Sequence, residues 1–153
     1  MKKYLITLLL LVFFPMNVFC ISPWDDFFRE PGPNALVTLE NSILSSAQSC
    51  NWGNPNNRNV LPSENQRLKL FDLICQGNES AFRAALMVIK CWDGGDLEDF
   101  YRSSGVFFEK KPYVFSTIVK ERKISDSNLK YFLTMLPLHT VDNSAIRISI
   151  LKN

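Results

Sequence analysis

Apolar residues recur every three or four positions along most of the chain, and each run is bounded by residues that start or stop a helix. Between Asn34 and Ser49, Leu36, Leu39, Ile43 and Ala47 share one face. Asn34 is suited to cap that helix, and Ser42, Ser45, Ser46 and Ser49 form its polar side. The turn-forming stretch from Asn51 to Asn57 ends it. Ser63 is the expected cap of a second helix, Glu64 to Cys75, with Leu70, Phe71 and Ile74 inward. Gly77 suits the left-handed position that closes a helix, and Asn78 can cap the next. That third helix, Glu79 to Trp92, carries Phe82, Ala85, Leu86, Met87, Ile89 and Cys91. It is apolar nearly all round, the mark of the most buried helix.

The same logic continues toward the C-terminus. Asp93-Gly94-Gly95-Asp96 reads as a turn with Asp96 as the next cap, followed by Leu97, Phe100, Tyr101, Ser104, Phe107 and Phe108 at helical spacing. Pro112 fits the first position of a fifth helix containing Val114, Phe115, Ile118 and Val119. Basic residues at its end, Lys120 to Lys123, suit the negative pole of the helix dipole. Ser125 caps a sixth, with Leu129, Phe132, Leu133 and Leu136 on one stripe and Pro137 as the stop. Ahead of all these, Ser22 and Pro23 begin a short helix carrying Trp24, Phe27 and Phe28, and Pro31-Gly32-Pro33 ends it. Ile146, Ile148 and Ile150 alternate as in a strand, while Asp142 or Asn143 could cap a short helix. No partner strand is evident, so helix is expected. The pattern predicts an all-α fold of about six to seven helices, a compact bundle or a short stack of antiparallel hairpins. Over roughly residues 63–137 it resembles HEAT-like α-solenoids in pattern, without a consensus repeat.

The first twenty residues behave differently. Lys2 and Lys3 precede an apolar run from Tyr4 to Phe14, and Val18 and Cys20 are small enough to precede a cut. This is the layout of a secretory signal peptide, cleaved after Cys20, with a bacterial look that implies the periplasm or secretion. The run is shorter than the roughly 20 apolar residues that span a bilayer. Lipidation of Cys20 would want a small residue where Phe19 stands. Residues 21–153 then form one helical domain. Loss of Lys2 and Lys3 takes the 17 basic residues to 15, equal to the 15 acids. A neutral chain has no field to draw nucleic acid, and no membrane contact is expected unless the leader is retained or Cys20 is lipidated.

Three cysteines follow the cut. With no Cys-x-x-Cys and a single histidine, His139, neither metal nor cofactor is expected. If the second and third helices form a hairpin, Cys50 and Cys91 come to one end of it, so Cys50–Cys91 is the expected disulfide. Cys75–Cys91, or a pairing that involves Cys20, is the alternative. Closing a loop of that size stabilises by about 3–4 kcal/mol.

No nucleophile motif surrounds any serine, and His139 sits in an expected loop. Two acidic groups remain: Asp25, Asp26 and Glu30, and Asp93, Asp96, Glu98 and Asp99. A carboxylate pair could hydrolyse an envelope polymer, yet acids also belong at helix starts. Lys110-Lys111 and Lys120 to Lys123 read as solvated helix ends. Trp24 and Trp92 read as core, whereas Trp52 and Arg58, in a long polar loop, are the candidate partner-binding residues. The expectation is a small exported non-enzyme that binds another protein, of the immunity or inhibitor type or an envelope adaptor. The alternatives are the carboxylate hydrolase and a membrane-tethered structural protein.

Overall fold

Helix starts are set by side chains that satisfy the first amides of each turn. Ser22 Oγ accepts from the Trp24 N–H at 3.3 Å, while the Asp25 carboxylate accepts from the Ser22 N–H at 3.1 Å, and α1 (Pro23–Arg29) follows. Gln66 Oε1 accepts from the Ser63 N–H at 2.8 Å at the head of α3 (Glu64–Cys75). Asn78 Oδ1 accepts from the Ala81 N–H at 2.9 Å and opens α4 (Glu79–Met87). Ser125 Oγ does the same for Asn128 at 3.4 Å before α7 (Asp126–Thr134). The remaining helices are α2 (Pro33–Ala47), α5 (Gly94–Lys110) and α6 (Pro112–Glu121), the last with proline in its first turn. The computed structural model describes residues 22–47 and 61–135. Among them there is no strand, and they form an all-α fold of seven α-helices in compact packing.

Three boundaries differ from the sequence expectation. α2 begins at Pro33 rather than being capped by Asn34, because the Gly32 carbonyl accepts from the Leu36 N–H at 3.0 Å and a proline at the first position gives up no needed donor. The expected helix from Glu79 to Trp92 stops at Met87. Val88 leaves helical geometry, and Ile89–Cys91 is a 3₁₀ turn in which the Cys91 N–H donates to the Val88 carbonyl at 2.8 Å. Two β-branched residues in succession favour the helix little, and a tight last turn redirects the chain into α5. In α5 the cap position belongs to Asp93, and Asp96 lies in the first turn, where Arg67 binds it at 2.6 Å. The 143–152 segment, for which helix was expected, lies outside the described residues.

The core is assembled around α5, which packs on α3, α4, α6 and α7, while α2 joins α1 to α4. It is aromatic: Phe82, Phe100, Phe107, Phe108, Phe115 and Phe132 are fully buried. The Phe82 ring stacks on Phe107 at 4.6 Å and on Phe115 at 5.4 Å. Ser103 and Ser104, also buried on α5, return their hydroxyls to the carbonyls of Asp99 and Phe100 at 2.8 and 2.7 Å, so the polar atoms inside are satisfied.

After α6 the chain reverses through Lys123, which holds φ +49°, and the Ile124 N–H returns to the Val119 carbonyl at 3.2 Å. A side chain in the left-handed region is strained where glycine is not. Lys123→Gly is therefore expected to raise the unfolding free energy by about 0.5–1 kcal/mol, read as a higher urea midpoint at unchanged slope.

Candidate functional site

The turn between α1 and α2 is tied to the start of α4. Asn78 spends its oxygen on capping, and its Nδ2 donates to the Pro31 carbonyl at 3.2 Å. Gly77 beneath it holds φ +87°, which lets α3 reverse into α4 within three residues. A groove of about 780 Å³ opens over this junction. Pro33, Leu36 and Val37 of α2 form one wall. Glu79, Ser80 and Arg83 of α4 form the floor, with Lys111 and Arg122 beyond.

Charge on the far side is arranged in bridges between helices. Arg83 Nε donates to Glu79 at 2.9 Å and its Nη1 to Glu121 at 2.6 Å, tying α4 to the end of α6. Partial burial works against the Arg83 charge, but hydrogen bonds and charge from Glu121 and Glu79 outweigh it and hold its pKa above the ordinary arginine value. Arg122 donates to Glu40 at 3.0 Å, linking residues 82 apart in sequence. The site is therefore amphipathic: an aliphatic and proline wall faces a row of half-buried ion pairs. Val37, at its edge, is 57 % exposed and adds apolar surface to the aliphatic wall.

The sequence candidates fall elsewhere. Trp52, Arg58, Cys50 and His139 lie outside the described residues. Trp24 and Trp92 are core: Trp24 packs on Phe27 and Phe28, and Trp92 meets Phe71 and Phe100 edge-on at 5.4 and 4.7 Å. Cys75 is a free, half-buried thiol. Desolvation raises its pKa, against a lowering hydrogen bond from Ser103. Its free state removes the Cys75–Cys91 pairing. Cys91 is buried at the end of the 3₁₀ turn and does not titrate as a free thiol.

The two acidic groups meet along α3 through adjacent residues. Gln66 donates to Asp25 at 2.6 Å, and Arg67 binds Asp96. Asp26 pairs with Arg29, and Glu98 and Asp99 both pair with Arg102. Each of these acids has a local structural job. Among the described residues no cluster of three metal-ligating side chains forms, and no helix is long and apolar enough to cross a membrane. No family model, curated protein or solved structure matches the chain.

Sequence reasoning did not single out Glu40, Arg83, Glu121 or Arg122. The Glu79–Arg83 pair, four apart on one helix, was a visible signal. The bridges to Glu121 and from Arg122 to Glu40 had none, because they depend on where α6 lands.

Proposed function

We propose that this is an exported helical protein that acts by binding another protein, as an immunity- or inhibitor-type protein or an envelope adaptor. The observation that carries the reading is the groove beside α4. Its volume falls within the roughly 300–1,000 Å³ of ligand sites. It is open along its length, with an exposed aliphatic edge and ion pairs behind, which suits side chains of a protein partner better than an enclosed small molecule. Export is supported by the basic-then-apolar leader that precedes the helical domain.

The tagged mature protein, purified from the envelope fraction, is expected to retain a discrete partner that Val37→Asp releases while the circular dichroism spectrum stays helical. Partner recovery unaffected by Val37→Asp, or no partner at all, overturns the reading.

Export carries a second expectation. We propose Cys50–Cys91 as the disulfide, supported by the free state of Cys75 and by Cys91 not titrating as a thiol. Non-reducing peptide mapping is expected to give a linked Cys50–Cys91 pair. Cys75 alone should be alkylated, slowly at neutral pH and faster as pH rises through its raised pKa. Reduction should lower stability by about 3–4 kcal/mol. Three equally alkylated thiols without reductant would contradict the assignment.

A further inference from the structure

The floor of the groove has more donors than the protein uses. Asn78 Oδ1 takes the Ala81 N–H and the Asn78 carbonyl takes that of Phe82, so the first two amides of α4, on Glu79 and Ser80, have no acceptor within the helix. Ser80 is only 7 % exposed and lines the groove. Its hydroxyl has no partner among the described residues, and no fully buried side-chain oxygen there lacks one, so the Ser80 Oγ keeps some solvent access. An unpartnered hydroxyl that still reaches solvent at a helix start is a donor open to a ligand.

Charge points the same way. Of the cations lining the groove, Arg83 is engaged by Glu79 and Glu121, and Arg122 by Glu40. Lys111 has no ion-pair partner among the described residues, and its stem crosses the α3–α4 turn, 3.5 Å from where a side chain on Gly77 would sit. Lys111 is thus the lining cation left outside an ion pair among the described residues, and it lies beside the positive pole of α4.

We infer that the start of α4 is a carboxylate-binding subsite, and that its ligand is an acidic residue next to an apolar one on the partner protein. The carboxylate meets the Glu79 and Ser80 amides, the Ser80 hydroxyl and Lys111. The apolar neighbour lies against Pro33, Leu36 and Val37. This inference rests on the protein-binding reading and assigns the partner's chemistry.

The test is a titration of the ¹⁵N-labelled protein with acetyl-Asp-Leu-amide, its isostere acetyl-Asn-Leu-amide, and inorganic phosphate. The aspartyl peptide is expected to shift the Glu79 and Ser80 amides saturably, and to bind about fivefold more tightly than the asparaginyl peptide, the difference one charge at a helix start makes. Lys111→Gln, at an exposed site, should lower that preference without abolishing it, and Ser80→Ala should weaken binding of the aspartyl peptide. Equal binding of the two peptides, shifts that map elsewhere, or no saturable shift overturns the inference. Saturation by phosphate without response to the aspartyl peptide does so too, and marks a small-anion site instead. If the peptides fail while Val37→Asp still releases the partner, the carboxylate assignment falls and the protein-binding reading stands.

Discussion

Phe82→Ala is expected to lower the unfolding free energy by about 3–5 kcal/mol, the range for emptying a fully buried aromatic site. Phe82 has no solvent exposure and sits where four helices converge. Its ring stacks on Phe107 of α5 and Phe115 of α6, and meets Phe100 and Phe132 at 6.1 and 6.3 Å. Each well-placed aromatic pair adds about 0.5–1.5 kcal/mol beyond area burial, and alanine forfeits all four. Domains of this size hold only about 5–15 kcal/mol in total, so the variant should lose at least about a fifth of its margin. Phe82→Leu keeps most of the volume and should lose less. Urea unfolding at constant slope reads both. A loss for Phe82→Ala below about 1.5 kcal/mol would mean that the aromatic core is not packed around this ring.

Trp24→Ala should cost about 3–4 kcal/mol, and the loss should be distributed differently. α1 has seven residues, too few to hold helical shape alone. It is held to α2 and α3 by burial of Trp24, Phe27 and Phe28, and by Lys69 of α3, whose Nζ donates to the Phe28 carbonyl at 3.1 Å and lies 5.3 Å from the Phe28 ring centre. Removing the indole should free α1 before the rest unfolds. Amide exchange in residues 23–29 should rise toward unprotected rates, while α5 loses protection only by the global amount. The Pro31 carbonyl, just after α1, accepts from Asn78, so freeing α1 should also loosen the groove and weaken partner binding. Uniform loss of protection across all helices would contradict a separately docked α1.

Much of this fold can be read from individual residues because the signals are local. Ser22, Ser63, Asn78 and Ser125 cap as their types suggest, Gly77 takes the left-handed turn, and Pro112 starts α6. The errors came where two local rules competed. Pro33 and Asn34 both suit a helix start, and the proline wins because the Gly32 carbonyl accepts the first bond of the turn. The apolar run after Met87 continues at helical spacing, but Val88 and Ile89 yield to a 3₁₀ turn that redirects the chain. Lys123 occupies a left-handed position with a residue type that gives no hint of it.

The groove was less legible for a physical reason. Its lining comes from α2, α4 and the residues that flank α6, and the pairing of Arg122 with Glu40 depends on tertiary packing rather than spacing. Arg83 shares the most apolar helix with Glu79, but its second partner, Glu121, is brought in by the packing of α6. Lys111 was read as a solvated helix end, and it is exposed; its place beside the start of α4 is set by the turn at Gly77.

The central claim is that this protein works through the face where α2, α4 and α6 meet. The most direct measurement places a photo-crosslinking residue at Val37 in the producing cell, with the same residue at Tyr131 on α7 as the comparison. The account predicts one discrete protein adduct from Val37, with an acidic–apolar peptide at the mapped junction. That adduct should disappear with Lys111→Glu, and Tyr131 should give none. An adduct equally strong from Tyr131, or one from Val37 that survives Lys111→Glu, would contradict it.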